Sequence, residues 1–157
     1  MKNTLVISAF PAAGKTHAYN ILKEQGYNVL DSDSERFHWE YFFGGRYRNE
    51  EFPSNYVDYI RKNIGKVDAI FVSSHIEVRN ALSKAGINYI LIHPSVECKD
   101  TYVGRCYIMG NSTEFINKLI DNWDEWIACC ENDTGANKII ELKHNEYLLD
   151  VIGGLLH

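Results

Sequence analysis

"NTLVISAFPAAGKTHAYNILKEQG" occupies residues 3–26, and the order of its parts decides the fold. Asn3 to Ala9 is a short, nearly continuous apolar run, the pattern of a strand buried on both faces. A loop of small residues follows, and from Lys15 to Gln25 the apolar side chains of Ala18, Ile21 and Leu22 recur at helical spacing. Gly26 stands where a helix-terminating glycine belongs. A buried strand that passes through a short loop straight into a helix starts a strand-helix-strand unit, so the sheet it opens is expected to be parallel.

The rest of the chain keeps that alternation. Further strands are expected in "YNVLD" (27–31), "DAIFVSS" (68–74), "INYILIHP" (87–94) and "NKIIEL" (137–142). "SERFHWEYFF" (34–43) reads as a helix that Asp33 or Ser34 can cap and that Gly44 and Gly45 end. Pro53 falls in the first turn of a helix carrying Tyr56, Ile60 and Ile64, and Ser74 with Glu77 forms a capping box for a helix ending near Gly86. Helices are also expected from Ser95 to about Met109, through Phe115, Leu119, Trp123 and Trp126, and through Tyr147, Leu148, Val151, Ile152 and Leu155. Trp123 and Trp126 share a face and read as core. Five apolar strands separated by helices imply right-handed crossovers and a three-layer α/β domain spanning residues 1–157. In such sheets ligands gather beyond the C-terminal strand ends, here the loops after Ala9, Asp31, Ser73, Pro94 and Leu142.

With 157 residues, 45% of them hydrophobic, the chain can bury one sizeable core but not two. Its net charge of -5 argues against a protein that mainly grips a polyanion. No apolar run is long enough to cross a bilayer, and "MKNTLVISAF" has too short an apolar segment for a signal peptide, so a cytoplasmic protein without a membrane partner is expected. Cys98, Cys106, Cys129 and Cys130 form no Cys-x-x-Cys pair and read as reduced thiols.

The loop "AFPAAGKT" (9–16) ends like the phosphate-binding pattern G-x-x-x-x-G-K-[ST], in which successive backbone N–H groups face phosphates, Lys reaches the β and γ oxygens and Ser/Thr holds magnesium. Gly14, Lys15 and Thr16 are present between a strand and a helix, as the pattern requires. Ala9 replaces the first glycine, which alanine can do where φ stays negative. Ala12, Ala13, Gly14, Lys15, Thr16 and His17 are therefore the expected cradle for ATP, with Thr16 and Asp31 as the expected holders of Mg²⁺. The bland alternative is an ordinary strand-to-helix turn.

The first strand, "FPAAGKTH", the helix and "VLDSDSERF" (29–37) together resemble the small P-loop kinases, the group that holds nucleoside monophosphate, shikimate and gluconate kinases. "YVGRCYIMGNSTEFINKLIDNWDEW" (102–126) further resembles phage and bacterial adenylate-kinase-like deoxynucleoside monophosphate kinases. The resemblance implies a P-loop NTPase fold with a five-stranded parallel sheet, helices on both faces and a short helical lid at about 97–112. It also implies a kinase dependent on ATP and Mg²⁺. "LKHNE" (142–146) falls where such kinases hold adenine through backbone groups.

Asp31 and Asp33 alternate along an extended segment, so both carboxylates can face one site, one orienting magnesium and the other taking a proton from an attacking hydroxyl. Shikimate-kinase-like enzymes use an Asp-x-Asp in this way; Asp33 can equally cap the next helix. The aromatic stretch with Phe37 and Trp39 lies where the resembled kinases form their acceptor pocket, and Arg46 and Arg48 can fork onto phosphate or carboxylate. Ser73 and Arg79 are further acceptor candidates, whereas His75 reads as a surface residue. Arg105 is the only arginine between Arg79 and the C-terminus. By the resemblance it is the lid arginine that stabilises the transferring group, with Gly104 and Gly110 as flexible points beside it.

Lys15, Asp31, Asp33 and Arg105 are accordingly the expected catalytic set. A (deoxy)nucleoside monophosphate is the first expected acceptor. A hydroxyl on a nucleoside, a sugar or a modified base in DNA is the second, with nucleic acid disfavoured by the acidic charge. A non-catalytic nucleotide-binding module is the reading from another class, supported by the missing first glycine, the single lid arginine and the lack of an acid after the third strand.

Overall fold

The structure is a computed structural model that describes residues 2–31, 39–42, 45–48 and 50–156. The strands are β1 (Leu5–Ala9), β2 (Val29–Asp31), β3 (Trp39–Phe42), β4 (Gly45–Arg48), β5 (Ala69–Ser73), β6 (Ile90–Pro94) and β7 (Lys138–Leu142). The helices are α1 (Lys15–Glu24), α2 (Ser54–Asn63), α3 (Ile76–Lys84), α4 (Lys99–Ile108), α5 (Thr113–Glu131) and α6 (Leu148–Ile152). All five strands anticipated for the main sheet are present, in the order β2-β5-β1-β6-β7. Every pairing in that sheet is parallel.

β1 is the centre. Val6, Ile7, Ser8 and Ala9 are buried in succession, and because neighbouring strand residues point to opposite faces, both faces of the sheet are covered there. Ala69, Ile70, Phe71 and Val72 in β5, and Leu91, Ile92 and His93 in β6, repeat the pattern. Helices on both sides are consistent with the expected three layers. β2 and β7 are the edges, and Ile139 of β7 is exposed. Among the described residues no helix is long and apolar enough to cross a membrane.

Two expectations change. Trp39–Phe42 is a strand, not helix, paired antiparallel with Gly45–Arg48 so that Trp39 lies opposite Arg48 and Tyr41 opposite Arg46. Trp, Tyr and Phe favour strands when a partner segment is at hand, and Gly45–Arg48 supplies it. The capping box at Ser74 is replaced as well: α3 starts at Ile76, and the Ser73 hydroxyl takes the His75 amide instead, at 3.2 Å. Two serines do cap the segments that follow them. Ser95 accepts from Glu97, and Ser112 accepts from Phe115 at 3.1 Å.

Beneath the end of β1, Phe10 meets Trp123 edge-on with ring centres 5.5 Å apart and Tyr102 at 6.1 Å. Such pairs each add about 0.5–1.5 kcal/mol beyond the area they bury. The Trp123 indole also donates to the Val96 carbonyl at 2.8 Å. This aromatic floor ties α4 and α5 to the loop that follows β1. Trp123 is core as expected, while Trp126 is only partly buried and borders a small surface cavity of about 120 Å³ with Phe10 and His75.

Candidate functional site

The parallel sheet delivers the loops after β1, β2, β5, β6 and β7 to one edge, and the loop after β1 stands in the middle of it. Ala9 ends β1 at 1% exposure, beside Ser73 and Ile92. The Phe10 amide is held by the Ile92 carbonyl at 3.0 Å, and the Ala13 amide turns back to the Phe10 carbonyl at 3.2 Å. Gly14 then takes φ +98° as the cap of α1. Its carbonyl accepts the first helical bond from Ala18 at 3.0 Å.

Among the described residues the amides of Gly14, Lys15 and Thr16 have no acceptor, and Lys15 has no ion-pair or hydrogen-bond partner. Orphan donors at a helix start, a lysine beside them and the positive end of the helix dipole make a ready anion site. The strain at this loop lies in an unexpected place. The missing glycine at Ala9 costs nothing visible, whereas Ala12 is held at φ +64°, a conformation that costs a residue with a Cβ roughly 1–2 kcal/mol.

Three contacts hold the loop from outside. The Ala12 carbonyl accepts from Arg105 Nη1 at 3.0 Å. The Ala13 carbonyl accepts from the Leu148 amide at 2.9 Å. Tyr147 packs on Gly14 so closely that a Cβ there would meet Tyr147 Cδ1 at 3.1 Å. The Arg105 guanidinium lies over two rings, 4.0 Å from the centre of Tyr147 and 4.5 Å from that of Tyr102. Burial pushes the Tyr102 phenol up to about 12, with Arg105 tempering the rise. Tyr147 was expected only as part of a helical stripe; no sequence signal distinguishes it, because its role depends on where the turn after β7 passes over Gly14.

A cleft of about 390 Å³ opens over the loop, with Ala12 and residues 14–17 on one side and Arg105, Ile108, Met109 and Tyr147 on the other. Tyr102 and Cys106 anchor α4 in the core, while Tyr107, Ile108 and Met109 at its end are 62%, 89% and 62% exposed. The expected lid segment is thus a helix seated on the core with an apolar tip beside the cleft.

The remaining candidates are more scattered. Asp31 ends β2, with β5 between β2 and β1; through Phe71 it is in register with Ile7, two residues before Ala9, and two strand spacings, about 10 Å, separate the two strands. Asp33 and Phe37 lie outside the described residues. Trp39, Arg46 and Arg48 belong to the β3-β4 ribbon. Ser73 ends β5, its hydroxyl accepting from the His75 amide. Among the described residues no group of three or more His, Cys, Asp or Glu side chains is arranged to hold a metal.

Arg79 is not aimed at solvent; it is buried at the wall of the small cavity beside Trp126. It is 2% exposed, paired with Asp133, and donates to the Ser74 carbonyl at 2.8 Å and Cys129 Sγ at 3.2 Å. Burial works against both charges of the pair. For Asp133 it is outweighed by hydrogen bonds from Arg79, the Ala136 amide, Tyr89 and the Gly135 amide, which hold the carboxyl below its usual value. For Arg79 the bonds to Asp133 and Cys129 outweigh burial and keep it cationic. Burial raises the neighbouring Cys130 thiol to about 11. All four cysteines are free, as the sequence suggests.

No protein-family model matches the chain, and no curated protein matches it either. Among solved structures, the crystal structure of an uncharacterized protein from Eubacterium ventriosum ATCC 27560 is similar with a TM-score of 0.50 at 15% identity. The similarity covers 97% of this chain and 94% of that one. At that identity it speaks to the fold alone.

Proposed function

We propose that the chain is an ATP- and Mg²⁺-dependent phosphotransferase with a P-loop kinase fold, acting on a small nucleotide acceptor, first of all a (deoxy)nucleoside monophosphate. The observation that carries the reading is the set of unpaired amides at Gly14, Lys15 and Thr16 around the unpaired Lys15 amine, at the C-terminal end of the central strand. Supporting it is the strand order. Numbered within the five-stranded sheet alone, β2-β5-β1-β6-β7 is 2-3-1-4-5, with the loop on the middle strand.

The residues present fit a nucleoside triphosphate. The amides and Lys15 would take its phosphate oxygens, and the apolar cleft beside Tyr147, Ile108 and Met109 has room for a flat base. The Thr16 hydroxyl, exposed at the first turn of α1, would hold magnesium; Asp31, about two strand spacings across, would reach it only through water. Magnesium would supply charge neutralisation on the phosphates. This chain's own work is binding, orientation and fixed positive charge, which is most of what phosphoryl transfer asks of a protein.

One observation favours a second reading, a nucleotide-binding module without transfer activity. The end of β5 carries Ser73, whose hydroxyl accepts from the His75 amide, rather than a carboxylate. Incubation of the pure protein with γ-labelled ATP, Mg²⁺ and a panel of nucleosides and monophosphates separates the two. Label should move to at least one acceptor, and Lys15→Ala should cut the rate at least about a hundredfold, the scale of losing one preorganised charge contact. Equal, background-level turnover by both proteins would sink the kinase reading, and tight ATP binding without transfer would install the module in its place.

A further inference from the structure

The geometry points to Arg105 as the positioning residue of the phosphate loop, a clamp that holds Ala12 in its left-handed conformation; this rests on the nucleotide reading of the same loop. Ala12 sits at φ +64°, which alanine adopts only when its surroundings over-determine it. Its neighbours supply that constraint. Arg105 Nη1 bonds the Ala12 carbonyl at 3.0 Å, fixing the orientation of the peptide that follows Ala12. The next carbonyl, of Ala13, is fixed by the Leu148 amide at 2.9 Å, and Gly14 is covered by Tyr147.

The guanidinium is itself held. It lies over the rings of Tyr147 and Tyr102 at 4.0 and 4.5 Å, and Tyr102 is fully buried against Phe10 and Trp123. Arg105 therefore ties α4, the β7-α6 turn and the loop into one unit before any ligand arrives. With Nη1 on the Ala12 carbonyl, this arginine acts on the loop before any transferring group is present. Its contribution is to keep the amides of residues 14–16 aimed together, so that a phosphate meets donors already in place.

The test pairs Arg105→Met, which keeps the bulk beside the rings and removes the donors, with Ala12→Gly or Ala12→Asn, residues that tolerate positive φ. In the ligand-free protein, Arg105→Met should speed hydrogen exchange of the bonded amides at the loop, those of Ala13 and Leu148, and adding Ala12→Gly or Ala12→Asn should slow it back toward wild type. Affinity for a non-hydrolysable ATP analogue should fall about tenfold in Arg105→Met, the scale of the left-handed penalty, and the second substitution should restore most of it. Exchange unchanged by Arg105→Met would overturn the clamp. So would an affinity loss that Arg105→Lys repairs and Ala12→Gly does not, because that pattern means direct contact with phosphate. A wild-type protein that binds no analogue would defeat the nucleotide reading while leaving the exchange comparison to decide the clamp. If Arg105→Met fails to fold, the exchange comparison is made between wild type and Ala12→Gly. Protection in the glycine variant equal to or above wild type is then expected, and a loss of protection would contradict a strained Ala12.

Discussion

Ala12, Gly14 and Lys15 divide the work of one short loop. Gly14 needs its missing side chain twice over, for φ +98° and for the space that Tyr147 occupies. Gly14→Ala is therefore expected to lower stability by roughly 1–2 kcal/mol from the backbone alone, with more where Tyr147 must shift; a thermal melt beside wild type reads it. Tyr147→Ala should relieve the second part and not the first. At this scale the sequence was legible for Gly14, Lys15 and Thr16, because a motif carries their identities. It was silent on Ala12 and Tyr147, because a strained φ and a ring laid on a glycine are made by chain path, which no local pattern encodes.

Between elements, the Arg79–Asp133 pair joins the start of α3 to the segment after α5. Side-chain exposures of 2% and 4% mean that removing one partner leaves a buried charge, which costs about 3–5 kcal/mol. Arg79→Met should show that loss in urea denaturation, and Arg79→Met with Asp133→Asn should recover part of it. The pair also sets a pH dependence. The Asp133 carboxyl is held below its usual value in the fold, so its contribution is complete above the unfolded carboxylate value near 4 and fades as pH falls through the lower folded value. Wild-type stability should thus fall more steeply than that of Asp133→Asn below about pH 4; parallel curves would contradict it. The sequence offered Arg79 as a candidate for substrate because a lone arginine after a strand looks available. Its partner lies 54 positions along the chain, beyond the reach of any spacing rule. The β3-β4 ribbon was missed for a related reason: aromatic residues near a possible cap read as a helix until the pairing segment is recognised.

For the molecule as a whole, five short apolar runs separated by helical patterns were enough to anticipate a parallel sheet, although only the three central strands are buried along most of their length. Strand order was not legible, because crossovers that skip a neighbour leave no trace in composition. The net charge of -5 bears on partners at this scale. Binding to a duplex oligonucleotide at physiological salt should be no tighter than non-specific association, about 10⁻⁴ to 10⁻⁶ M, in an anisotropy titration; submicromolar affinity would revive the DNA-directed acceptor. The central claim is that the loop after β1 holds the phosphates of a nucleotide. Calorimetric titration of a non-hydrolysable ATP analogue with Mg²⁺ into wild-type protein and into folded Lys15→Ala tests it most directly. Saturable one-site binding that Lys15→Ala abolishes is the expected result, and no binding by wild type, or equal binding by both proteins, would contradict it.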